Sequence, residues 1–141
     1  MRLVGLVGRL VYTCGCLGQH SRPAGTLAAV DAKDLRDLVR FSEDGPHRET
    51  LHESTRLWSE IVCLERAQAL GPIADPDSDA ILTVVAGEVA VQVDRGRKRL
   101  PQWGSVLVPA GAELTLRNAS TDPAVILLVT APPPADLPAP E

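Results

Sequence analysis

The chain has 141 residues, a formal charge of −4 and a pI near 5.3, with 45% hydrophobic residues and a mean hydropathy of +0.04. That length suits one domain with one core. The acidic balance argues against a nucleic-acid binder, which needs a basic patch to displace counterions from phosphates. It argues equally against a protein held on a membrane surface by charge. Only four residues are aromatic (Tyr12, Phe41, Trp58 and Trp103), so the core must be built from Val, Leu, Ile and Ala.

Residues 1–27 differ from the rest: apolar and Gly-rich, with Arg2 and Arg9. Arg9 interrupts the apolar run that an export signal needs, and no run reaches the roughly 18 residues that span a bilayer. This stretch reads as a disordered or mis-assigned leader, and the domain is expected over 28–131. Over 30–41, "VDAKDLRDLVRF" has Leu35, Leu38 and Val39 at i, i+3, i+4, with Asp31 able to cap a short helix or turn.

The rest reads as strands. "RETLHES" (48–54) and "RLWSEIVCLER" (56–66) alternate. The second is apolar on both parities (Leu57, Ile61 and Cys63 against Trp58, Val62 and Leu64), which predicts cover on both faces. "ILTVVAGEVAVQVDRGRKRL" suggests two strands folded at Gly87, ending in a turn where Gly96 takes a positive φ. "WGSVLVPAGAELTLRN" is a strand, a Pro-Ala-Gly turn and a strand, and "AVILLVTA" (124–131), apolar throughout, predicts a central strand. The Pro-rich 132–141 predicts an extended or disordered tail. Many short strands punctuated by Gly and Pro give an all-β sandwich or barrel.

The three cysteines, Cys14, Cys16 and Cys63, make no disulfide framework, which points to a reducing compartment and a cytoplasmic location. Cys63 reads as a small buried hydrophobe. Asp75, Asp77 and Asp79 fall on one side of an extended segment, like the start of a calcium loop. Position six of that loop would be Ala80 rather than Gly, and position twelve Ala86 rather than Glu, so a solvated turn at a barrel mouth is the better reading.

"AGEVAVQVDRG…WGSVLVPAGAELTLRN" resembles the cupins, small double-sheet jelly-roll β-barrels, over residues 57–131. Gly87 stands where the first cupin motif ends. Pro109, Gly111 and Asn118 stand where the second places its turn and closing Asn. Metal-binding members use two His, a Glu and a further His. The resemblance carries those positions onto Ile73, Asp75, Ala80 and Leu114, and none matches the pattern. Imidazole, thiolate or carboxylate donors must converge on a first-row metal, so no metal and no other cofactor is expected. His20, His47 and His52 all lie upstream of the motif.

With Ala80, Leu82, Val84, Leu114 and Leu116 turned inward, the barrel would enclose an apolar cavity, either self-filled or holding a small apolar ligand. Polar candidates at its wall are Gln92 and Trp103, as ligand contacts, and Glu60 and Asp75, as general bases of a metal-independent isomerase, epimerase or cyclase. The leading expectation is a metal-free binding or accessory module. A structural homodimer paired through 48–54 is the third reading.

Overall fold

A computed structural model describes residues 30–134. The elements below all lie within 33–134, one compact unit. The leader expected over 1–27, with Cys14, Cys16 and His20, lies outside the described residues, as does the tail beyond Pro134. The described residues form nine strands: β1 (His47–Glu53), β2 (Trp58–Leu64), β3 (Ala69–Ile73), β4 (Asp79–Ala86), β5 (Val89–Val93), β6 (Gly96–Leu100), β7 (Ser105–Val108), β8 (Leu114–Asn118) and β9 (Ala124–Ala131). They make two antiparallel sheets, ordered β1-β2-β9-β4-β7 and β3-β8-β5-β6. This is the double-sheet jelly roll expected, with 124–131 at the centre of the larger sheet.

The two-sided apolar pattern of 58–64 has the predicted consequence: all seven residues of β2 are buried. Val62 and Leu64 face the second sheet and join Leu82, Val84, Val89, Val91, Leu116 and Ile126 in the main core. Ile61 and Cys63 face the other way and pack with Leu51 and Val125 under Leu35, Leu38 and Val39. Those last three come from a 3-10 turn at Leu35–Leu38, capped by Asp34, whose carboxylate accepts from Arg36 N at 2.9 Å. The turn is where the i, i+3, i+4 pattern put it, but the cap is Asp34 rather than Asp31. Burial pushes the pKa of the Cys63 thiol up, as suits the small buried hydrophobe expected there.

Three local expectations need correction. Gly87 is a corner between sheets rather than the tip of a hairpin, because β4 and β5 belong to different sheets. Gly96 opens β6, and the positive φ of that turn (53°) falls on Asp94. Asp94 is held there by Glu113, whose N–H donates to its carboxylate at 2.9 Å, and a short polar side chain tolerates that conformation. Finally, 69–73 and 96–100 are strands too. Both are edges, where Pro72 and the charges of Arg97, Lys98 and Arg99 are compatible with a sheet and discourage further pairing.

Asn118 closes the barrel from inside. Its side chain is buried, donates to the carbonyls of Leu64 (3.0 Å) and Asp122 (2.8 Å), and accepts from Ser120 N (3.0 Å).

Gly87 and Gly111 both have a left-handed φ (79° and 86°) but differ in surroundings. A Cβ on Gly87 would lie 2.6 Å from Pro123 O and 2.9 Å from Ala124 Cα, whereas one on Gly111 would meet nothing within 4 Å. Gly111→Ala should therefore cost about 1–2 kcal/mol, the conformational strain alone. Gly87→Ala should cost at least about 3 kcal/mol, because backbone must also move. Urea denaturation of the two variants measures the gap, and equal midpoints would refute the corner geometry.

Candidate functional site

The inner face of the larger sheet is built in cross-strand rows. One row reads Val62, Ile126, Val84; the next Glu60, Leu128, Leu82, Val106; the last Trp58, Thr130, Ala80, Val108. The first row is sealed in the core. In the last, Thr130 and Ala80 are small, and Ala112 and Ala74 line the same space. That space is a cavity of about 190 Å³, also lined by Ile73, Asp75, Leu114 and Pro134.

The family resemblance carries the ligand positions onto Ile73, Asp75, Ala80 and Leu114, and all four line this cavity. Asp75 is the only one with a metal-donor side chain, and its Oδ1 already accepts from Asp77 N at 2.9 Å. Among the described residues, no group of three or more His, Cys, Asp or Glu is arranged to hold a metal ion. The donor set at the family position does not fit a first-row transition metal.

Glu60 also lines the cavity and is 1% exposed. It shares the inward parity of Trp58, Val62 and Leu64, so its charge must be met inside. Arg48 on β1 does this with two parallel bonds, Nε to Oε1 and Nη2 to Oε2, both 2.7 Å. This is the strong, fork-on-fork form of ion pair. The bonds to Glu60 hold the Arg48 pKa above its ordinary value, outweighing the opposite effect of burial.

The "DPDSD" segment pins the mouth. The backbone carbonyl of Asp75 accepts from Gly111 N (2.8 Å), and the Asp79 carboxylate accepts at Oδ1 from Ala110 N (2.8 Å). Ser78 Oγ donates to Pro132 O at 2.6 Å, which ties the first residues after β9 to the same rim.

Other candidates fall elsewhere. Leu82, Val84 and Leu116 point inward as expected but sit deeper, packed in the core without lining the cavity. Gln92 is on the outer face of the smaller sheet, since Val91 and Val93 take the inner parity of β5, and it bonds Asp94 O. Trp103 is 72% exposed in a turn with φ 74°, its backbone N–H clamped on Val84 O at 2.7 Å. The ligand-binding expectation therefore narrows to Ala80 and Leu114. Arg48, Ser78, Ala112 and Thr130 were not anticipated.

No family model matches the sequence, and no curated protein matches it. Solved structures do. The protein TT1209 from Thermus thermophilus is 31% identical with a TM-score of 0.72, over 74% of this chain and 100% of that one. A double-stranded β-helix domain protein from Klebsiella pneumoniae is 19% identical with a TM-score of 0.69, over 74% and 91%. An RmlC-like cupin from Shewanella frigidimarina is 21% identical with a TM-score of 0.59, over 65% and 80%. The chain has the double-stranded β-helix fold that these cupins share. Within that fold, this chain keeps the glycine frame and carries Ile73, Ala80 and Leu114 at three of the four positions that the resemblance assigns to metal ligands.

The Arg48–Glu60 pair sets a stability test. Arg48→Met leaves a buried carboxylate unpaired and should cost of order 3 kcal/mol, whereas Arg48→Met with Glu60→Leu should regain most of that loss. Denaturation midpoints of the two variants decide it. An Arg48→Met protein as stable as the parent would mean that the pair is not closed in solution.

Proposed function

We propose that this chain is a cupin-like small-molecule-binding or accessory protein that works without a transition metal, using the cavity at the open end of its barrel. The carrying observation is that the four family ligand positions converge on one cavity, and three of them are Ile, Ala and Leu. Its size is close to that of apolar protein cavities known to take a benzene-sized guest, on the order of 150 Å³. Ten of its fifteen lining residues are apolar.

An enzyme using Glu60 or Asp75 as base is supported by the burial of Glu60 against the cavity. The ion pair counts against it, because both Glu60 oxygens already accept guanidinium N–H groups. Asp75 is half-buried at the rim, and one of its oxygens is engaged by its own turn. Pairing of two copies is a second use of the fold rather than a rival: β1 is an edge of its sheet among the described residues. No helix among the described residues is long and apolar enough to cross a membrane, and the buried free Cys63 suits the reducing cytoplasm.

Native mass spectrometry with elemental analysis of the purified protein tests the reading. The expected result is a substoichiometric metal content and a retained organic mass. Ala80→Leu, which fills the cavity, should abolish that mass while leaving the thermal midpoint unchanged or higher. One equivalent of iron, manganese, zinc or nickel would overturn the proposal.

A further inference from the structure

The cavity wall is apolar in area but unbalanced in hydrogen bonding. Thr130 and Trp58, partners across β9 and β2, are 6% and 5% exposed and line the cavity. Neither the Thr130 hydroxyl nor the Trp58 indole N–H has a hydrogen-bond partner among the described residues. Arg48 uses two of its five N–H donors on Glu60, and the other three have none among the described residues. The Arg48 side chain is 41% exposed, so its remaining donors reach solvent as well as the cavity. Thr130 and Trp58, however, are buried, and buried donors are rarely left without an acceptor. Water can serve them when the cavity is empty, but a pure hydrocarbon displacing that water would strand them.

Charge narrows the class further. Arg48 and Glu60 cancel, leaving Asp75 as the net charge of the wall. An anion would therefore meet a negative wall. A cation would find both Glu60 oxygens taken. An uncharged guest with an oxygen acceptor meets neither penalty and satisfies the donors.

Resting on the cavity reading above, we propose that the ligand is a small uncharged carbonyl compound (ketone, ester or amide) of roughly six to ten heavy atoms. Its oxygen accepts from Thr130, Trp58 and Arg48, and its apolar body lies against Ala80, Leu114 and Leu128.

Four probes of one shape test this by calorimetric or NMR titration of the full chain: acetophenone, α-methylstyrene, benzoate and benzamidinium. The expected result is acetophenone bound at least tenfold tighter than α-methylstyrene, with both ions weaker still. Thr130→Val should bring the ketone at least fivefold closer to the hydrocarbon and leave hydrocarbon binding unchanged. Should that variant fail to fold, the parent's Trp58 indole N–H resonance still reports: acetophenone should move it downfield and α-methylstyrene should not. Hydrocarbon binding equal to or tighter than the ketone, or either ion binding best, would overturn the carbonyl proposal while leaving the cavity reading intact. Binding of none of the four would remove the cavity reading itself.

Discussion

A two-sheet barrel must fill the gap between its inner faces, and here side-chain size runs out along the axis. Apart from Glu60, the rows from Val62 to Val106 carry Leu, Ile and Val, and their core members pack with Leu116, Val89 and Val91. One row further, Thr130 and Ala80 are small and line the cavity. Everything functional proposed for this protein depends on that step in volume. An interior packs to near-crystalline density wherever the side chains allow it, so the residual space at this end is written into residue size and does not require a special loop. It also explains why Leu82 and Val84, which face the same way as Ala80 on β4, pack in the core without lining the cavity.

Glu60 is the one acidic group fully committed to that interior. A buried carboxylate is costly unless paired and hydrogen-bonded, and the cross-strand fork from Arg48 supplies both. The pair is a poor source of net stability compared with two apolar residues. What it does is fix the guanidinium at the cavity wall in one orientation, on a strand rather than a loop. A donor held this way loses little entropy when a guest arrives. The same pairing that weakens Glu60 as a base thus makes Arg48 a better anchor.

Parity and glycine spacing carried most of what was legible in the sequence. The doubled apolar pattern of 58–64 predicted cover on both faces, and the main core and the Leu35–Val39 layer provide it. The two motifs of the family resemblance, one aligned on Gly87 and the other on Pro109 and Gly111, brought 73, 75, 80 and 114 to one cavity. What failed depended on long-range closure. A two-residue link at Gly87 looks like a hairpin until Pro123 and Ala124 approach it from the far side. Gln92 and Trp103 attracted notice by residue type, yet the Val91 and Val93 parity already turned Gln92 outward. Arg48 had a readable signal that was not used. A carboxylate on the buried parity of β2 demands a cation, and the neighbouring strand offers one.

The acidic loop at the mouth shows how the same residue types can serve architecture rather than ion binding. In 75–79 two of the three carboxylates accept a backbone N–H at Oδ1: Asp75 closes its own turn, and Asp79 receives Ala110 N. The backbone bond from Gly111 to Asp75 adds a second tie across the opening. These links join the loop before β4 to the turn before β8, the two segments that contribute Ala74 and Ala112 to the cavity. Small side chains there keep the space open, and the hydrogen bonds keep it from collapsing. The loop therefore frames an apolar pocket, with Asp75 as the loop's one carboxylate on the cavity wall.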